Sequence, residues 1–302
     1  MGILDFFRKA RYARILESRA IPDSLWEWAR AEHRIFNGMP YPDCARLRKL
    51  ATLFLATKRF DPVQGAEIDD YLKLSVAAQA CLPLVGLCDL QTVGDERPDE
   101  LSALYRGLSW YRGFATIFVT PDAYRVTQRH MDEAGVVDEY EDEFAGEAFA
   151  LGPVALSIPD IEASGWGDGY NVIIHEMAHK LDGLDGHFDG CPPLHADMDP
   201  DTWKAEFTKA WEDFRARQRI GTGGRKGPSG GDEPSRTSKG MRIIRRKRSR
   251  IDPYAAESPD EFFAVLCEYF WEKPSILRAE YPAVFAQLVS FFRRDPLAWR
   301  QP

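Results

Sequence analysis

Two histidines stand four residues apart, with a glutamate directly after the first, in His175-Glu176-Met177-Ala178-His179. On an α-helix, positions i and i+4 share a face. The two imidazoles can therefore close on one metal ion, and the glutamate can reach a water on that ion as general base. The chemistry this predicts is metal-assisted hydrolysis, with a peptide bond as the target. Among 302 residues with 6 His and 47 Asp or Glu, random placement yields about 0.02 matches to the pattern. The surroundings favour a helix: Val172, Ile173, Ile174, Met177, Ala178 and Leu181 are apolar, and Gly183 stands where helices commonly stop. The competing reading is a pair of core histidines, with Glu176 set against a cation.

A catalytic zinc takes three protein ligands and keeps one position open, so a third ligand must come from elsewhere in the chain. A metzincin-type extension requires Gly at 182 and His at 185; the chain has Asp182 and Asp185, which leaves Asp185 as a variant ligand. His187 and His195 in the following loop are a second source. A glutamate on a later helix is the third, and Glu261 fits it best. It stands near the start of SPDEFFAVLCEYFW, behind Ser258 as N-cap and Pro259 at N1. The same N3 position also completes an ordinary capping box with Ser258. Glu268 shares its face, either as a group behind a ligand or as a paired core carboxylate. Asp182, three after His179, either orients a ligand imidazole or lies solvated in the last turn.

The elements that must position these residues follow from periodicity. Helical spacing covers 3–18, 23–34, 43–57, 170–182, 201–217, 258–272 and 281–294. Residues 66–88 read as one long buried helix disturbed at Pro83. Residues 109–119 are aromatic and β-branched and read as strand; 147–158 read as a strand pair or a bulged strand broken at Gly152-Pro153. The predicted fold class is α+β: a helical N-terminal part over 1–105, then a region over 106–302 with a small mixed sheet and the HExxH helix; the two can pack as a single domain.

Composition narrows the function. Hydrophobic residues make up 44% of the chain, ample for a core, and the net charge of −8 argues for neither nucleic acid nor membrane. No apolar run reaches 18 residues. The N-terminal MGILDFFRKARYARIL reads as an amphipathic helix, not a signal peptide, and Phe6 breaks the myristoylation pattern that begins at Gly2. Of five scattered cysteines, Cys81, Cys88 and Cys267 lie in apolar runs as reduced core residues, which suits the cytoplasm. Residues 215–250 carry 13 Lys or Arg, 2 acidic residues and 7 Gly. This predicts a mobile basic loop over 218–250. Its block RIIRRKRSR at 242–250 is a weak hint of nucleic acid, and a solvated loop is the stronger reading.

The runs YNVIIHEMAHKLDGLDG, IDPYAAESPDEFFAVLCEYFWEKP and VAAQACLPLVGL resemble the Mlc titration factor A family of zinc metallopeptidases, a likeness that extends over most of the chain. The resemblance implies that 106–302 is a zincin-like catalytic core, with a gluzincin-like site holding one Zn2+ per chain through His175, His179 and Glu261. It implies Glu176 as the base and Tyr254 as an assisting residue, and no organic cofactor. Better-known members bind a glucose-uptake repressor and show aminopeptidase-like activity. The resemblance thus implies an aminopeptidase-like zinc peptidase that acts on peptides and also takes a transcriptional repressor as partner. The alternative is a non-catalytic protein that titrates a transcription factor, its zinc structural or regulatory. The Gly-rich basic stretch 220–250 looks like an insertion relative to the family and leaves the ligand set untouched.

Overall fold

The computed structural model describes residues 3–90, 99–122, 152–222 and 249–299. Six helices and one strand come first: α1 (Ile3–Ser18), α2 (Asp23–Glu32), α3 (Tyr41–Thr57), β1 (Arg59–Pro62), α4 (Asp70–Cys81), α5 (Leu84–Leu87) and α6 (Glu100–Ser109). Then follow β2 (Thr116–Thr120), β3 (Val154–Ser157), α7 (Ile158–Ala163), α8 (Val172–Asp182) and α9 (Pro200–Thr222). The chain closes with α10 (Pro259–Glu272), α11 (Pro274–Glu280), α12 (Pro282–Phe292) and α13 (Pro296–Trp299). The described part is mostly helical with a small sheet.

The expected mixed sheet is corrected: among the described residues it has three strands, all parallel, in the order β1-β2-β3. Arg59 pairs with Thr116, and Ile117 pairs with Val154. Helices α4 to α6 separate β1 from β2, and a crossover of that kind returns the chain in the same direction. The strand expected over 109–119 is shorter as well. Ser109 still belongs to α6, and residues 110–113 turn before β2 begins at Thr116. The aromatic signal there is core packing: Tyr111 and Phe114 are buried against Phe54, and the Tyr111 hydroxyl donates to the Ala80 carbonyl at 2.8 Å. Of the strand expected over 147–158, residues 147–151 lie outside the described residues, and β3 forms the remainder.

The long helix expected over 66–88 divides at Pro83 into α4 and α5, as a proline inside a helix requires. Every residue of α4 from Leu74 to Cys81 is buried, the mark of a central helix. In α10 the run Phe262–Glu272 is buried without a gap. Helix α8 lies against α10, α4 and β3, so the HExxH motif sits on a helix held by the core on several sides. No helix among the described residues is long and apolar enough to cross a membrane. The basic block 242–250 lies outside the described residues apart from its last two positions, Ser249 and Arg250, which bind Glu280.

Candidate metal centre

Helix α8 begins at Asn171, whose side chain accepts the Ile174 N–H at 2.9 Å. From this cap the helix runs to Asp182 with Ile173, Ile174, Met177, Ala178 and Leu181 buried, which turns His175, Glu176 and His179 toward the opposite face. The left-handed residue that reverses the chain is not Gly183, with φ −71°, but Gly186, with φ 92°, after a turn of 3-10 helix over Gly183–Asp185. Helix α10 brings Glu261. Ser258 accepts the Glu261 N–H, so half of a capping box is present. The Glu261 carboxylate does not complete it and turns to the histidines instead.

Three atoms converge there. Glu261 Oε2 lies 3.0 Å from His175 Nε2 and 3.5 Å from His179 Nε2, and the two nitrogens are 3.2 Å apart. Donors about 2.0–2.1 Å from a tetrahedral ion lie about 3.3–3.4 Å from one another. The triangle thus already has the dimensions of three corners of a four-coordinate site, and these residues form a candidate metal-binding cluster. The hydrogen bonding agrees. Glu268 Oε1 stands 2.9 Å from His175 Nδ1, placed to accept its N–H, so that a cation taking the place of the Nε2 proton would meet the Nε2 lone pair. Glu261 Oε2 is buried with the two imidazole nitrogens as its neighbours and no well-aligned hydrogen bond to either, a place a cation would fill.

Electrostatics show the same demand for positive charge. Burial alone would keep the His175 imidazole neutral, but the carboxylates of Glu261 and Glu268 override it and raise its pKa to about 10. Burial likewise opposes ionisation of Glu261, and the two histidines more than reverse this, holding its carboxyl far below the usual range. For Glu268 burial dominates and pushes the pKa up despite His175.

Glu176 is half-buried beside the cluster, and its carboxylate accepts no hydrogen bond among the described residues. Tyr254 is not a core residue: it is 46% exposed, and its hydroxyl donates to Glu261 Oε1 at 2.9 Å. The other ligand sources are set aside by position. His195 is buried, stacked on Phe291 and bonded to its carbonyl. His187 and Asp185 are exposed and form a local turn of their own. Asp182 neither touches an imidazole nor meets solvent: it is fully buried, accepts the Gly190 N–H at 2.9 Å, and leaves its other oxygen unpaired. Burial raises its pKa to about 7. A cleft of about 510 Å³ between α9 and α12, lined by Asp213, Arg217, Glu280 and Tyr281 among others, contains none of the converging residues.

Sequence reasoning passed over the polar network beneath the cluster. Asn171, Glu272, Gln79 and Ser75 are all buried and bonded to one another in series. The cap preference of Asn before an apolar helical run, and the four-residue spacing of Glu268 and Glu272 on one helix, are the signals that point to it.

Such a site on such a fold is that of a metallopeptidase-like protein, and comparison with known proteins agrees. Residues 7–293 match the family described as glucose-regulated metallo-peptidase M90. The chain belongs to that family. It is 30% identical over 258 residues to Mlc titration factor A of Yersinia pestis, a match covering 85% of this chain and 80% of that protein. Mlc titration factor A of Yersinia pseudotuberculosis is similar to the same extent.

Proposed function

We propose that this protein is a zinc-dependent peptidase of aminopeptidase-like type, with His175, His179 and Glu261 as the zinc ligands, Glu176 as general base and Tyr254 as the assisting donor. The observation that carries the reading is the convergence of two imidazole nitrogens and one buried carboxylate oxygen within 3.5 Å, with the Glu176 carboxylate next to them. Zinc, when bound, supplies a Lewis acid and lowers the pKa of water to about 7.

The chain's own residues do the rest. Glu176 takes the proton of the attacking water and passes it to the leaving amine nitrogen. The Tyr254 hydroxyl leaves Glu261 for the oxygen on which negative charge develops. Glu268 keeps the Nδ1 proton of His175 in place, so that the ring cannot turn or change tautomer. Strand β3 has no neighbour on its outer side among the described residues, so a peptide in extended form can pair with it. Five free thiols, four of them buried, support a reducing, cytoplasmic setting.

The test is hydrolysis of a panel of aminoacyl-nitroanilides and one unstructured protein by zinc-loaded enzyme, beside Glu176→Gln. Activity that falls by orders of magnitude in the variant, with zinc retained, is the expected result. Equal background in both, with zinc bound, overturns the peptidase reading. The name of the relatives, Mlc titration factor A, supports a second role: binding of a repressor of that kind. Co-purification of such a repressor with both the wild type and Glu176→Gln would separate this role from catalysis.

A further inference from the structure

Asn171 uses every hydrogen-bonding group it has, and it does so at 0% exposure. Its side-chain oxygen caps α8 through Ile174 N, and its carbonyl accepts His175 N at 3.0 Å. Its backbone N–H donates to Glu268 Oε2, whose other oxygen holds His175 Nδ1. Its amide nitrogen donates to Gln79 Oε1 at 2.7 Å and to Glu272 Oε1 at 2.8 Å. Glu272, also at 0% exposure, accepts the Gly167 N–H with its second oxygen. Gln79 continues through Ser75 to His33.

A cap requires one acceptor atom, and Asp, Ser or Asn would serve about equally. Two amide donors pointed at a buried carboxylate and a buried carboxamide are beyond what a cap requires. Only Asn offers an acceptor and two donors within so short a side chain. We infer that Asn171 is a positioning residue for the cluster. Its amide, gripped by Glu272 and Gln79, fixes the backbone N–H that holds Glu268, and Glu268 in turn aims Nε2 of His175. Asn171 touches no ligand atom itself. The inference rests on the reading of His175, His179 and Glu261 as a metal site, because what it sets is the direction of a ligand lone pair.

The substitution Asn171→Asp separates the two roles. It keeps size, shape and cap, and it replaces the donors with an oxygen that faces Glu272 and Gln79. Adding Glu272→Gln restores a donor–acceptor pair with its direction reversed. The measurement is zinc affinity of the full chain by competition with a chromogenic chelator, with the thermal midpoint of each metal-free variant alongside. The expected result is a loss of about 10- to 100-fold in zinc affinity for Asn171→Asp, most of it recovered in the Asn171→Asp/Glu272→Gln double variant.

Zinc affinity of Asn171→Asp within about two-fold of wild type, against the loss typical of outer-shell partners, would reduce Asn171 to a cap and overturn the inference. So would an equal loss in the double variant. If Asn171→Asp does not fold, Asn171→Ser supplies the cap oxygen without the amide donors; the same loss is expected of it, and wild-type affinity is fatal. Failure of the underlying reading looks different: wild type that binds no zinc, or His175→Ala that binds it equally well, would overturn the metal site and this inference together.

Discussion

A phenol that donates to a carboxylate of the proposed metal site has two uses, and Tyr254 can be tested between them. Its hydroxyl lies 2.9 Å from Glu261 Oε1. Burial, followed by the charge of Glu261, raises its pKa, so it keeps its proton at any working pH, as a donor to a developing oxyanion must. Tyr254→Phe is expected to lower kcat by about 10²- to 10³-fold, the usual cost of one such donor, while metal analysis finds zinc content unchanged. Loss of zinc together with activity would make Tyr254 a support for Glu261. At this scale the sequence was informative where chemistry leaves a pattern. HExxH declares itself through spacing, whereas Glu261 stands out only as the best of three ligand sources, because Ser258 and Glu261 spell a capping box equally well. The structure shows why both readings had merit: the backbone N–H of Glu261 takes the cap while its carboxylate takes the histidines. Asn171 and Glu272 left only faint marks, a cap preference and a four-residue spacing from Glu268, which many ordinary helices share.

The loop that leaves α8 for α9 is locked against α10 by a single glycine. Gly190 donates its N–H to Asp182 at the end of α8 and accepts the Trp203 indole N–H of α9 at 3.0 Å. Its φ is +78°, and a Cβ there would meet the Pro259 carbonyl of α10 at 2.6 Å. Gly190→Ala is therefore expected to cost at least about 1–2 kcal/mol from the left-handed conformation alone. Because the loop must move away from the start of α10, where Glu261 stands, to admit the methyl group, zinc affinity should fall with it. Thermal melts with and without zinc check this, and a variant that melts as the wild type does would show that the loop yields. Helices with strong apolar periods, such as α8 and α10, were legible within about two residues. The sheet was less so. Trp110, Tyr111 and Phe114 have the composition of a strand but form the turn that packs on Phe54, and a four-residue strand such as β1 is too short for an alternation to show.

Across the whole molecule, the site and the N-terminal helices share one buried polar network, from His175 through Glu268, Asn171, Gln79 and Ser75 to His33 at the end of α2. Hydrogen bonds between distant segments tie the cluster's geometry to how the first helices dock. That docking is expected to weaken in acid. Burial lowers the His33 pKa to about 4, against about 6.5 in an unfolded chain. Between those values the unfolded state binds the extra proton, so stability contributed by neutral His33 is complete above pH 6.5 and is lost as pH falls toward 4. The two pKa values give a loss of about 2 kcal/mol between pH 7 and pH 5. His33→Gln retains a side chain able to meet Ser75 and removes the titration. Urea unfolding of the metal-free proteins at both pH values, with chelator present so that the ligand histidines do not enter through zinc, should show the wild type losing about 2 kcal/mol more than the variant. Equal losses would mean that His33 is protonated in the folded protein, and the acid sensitivity would then have to come from the carboxylates of the network.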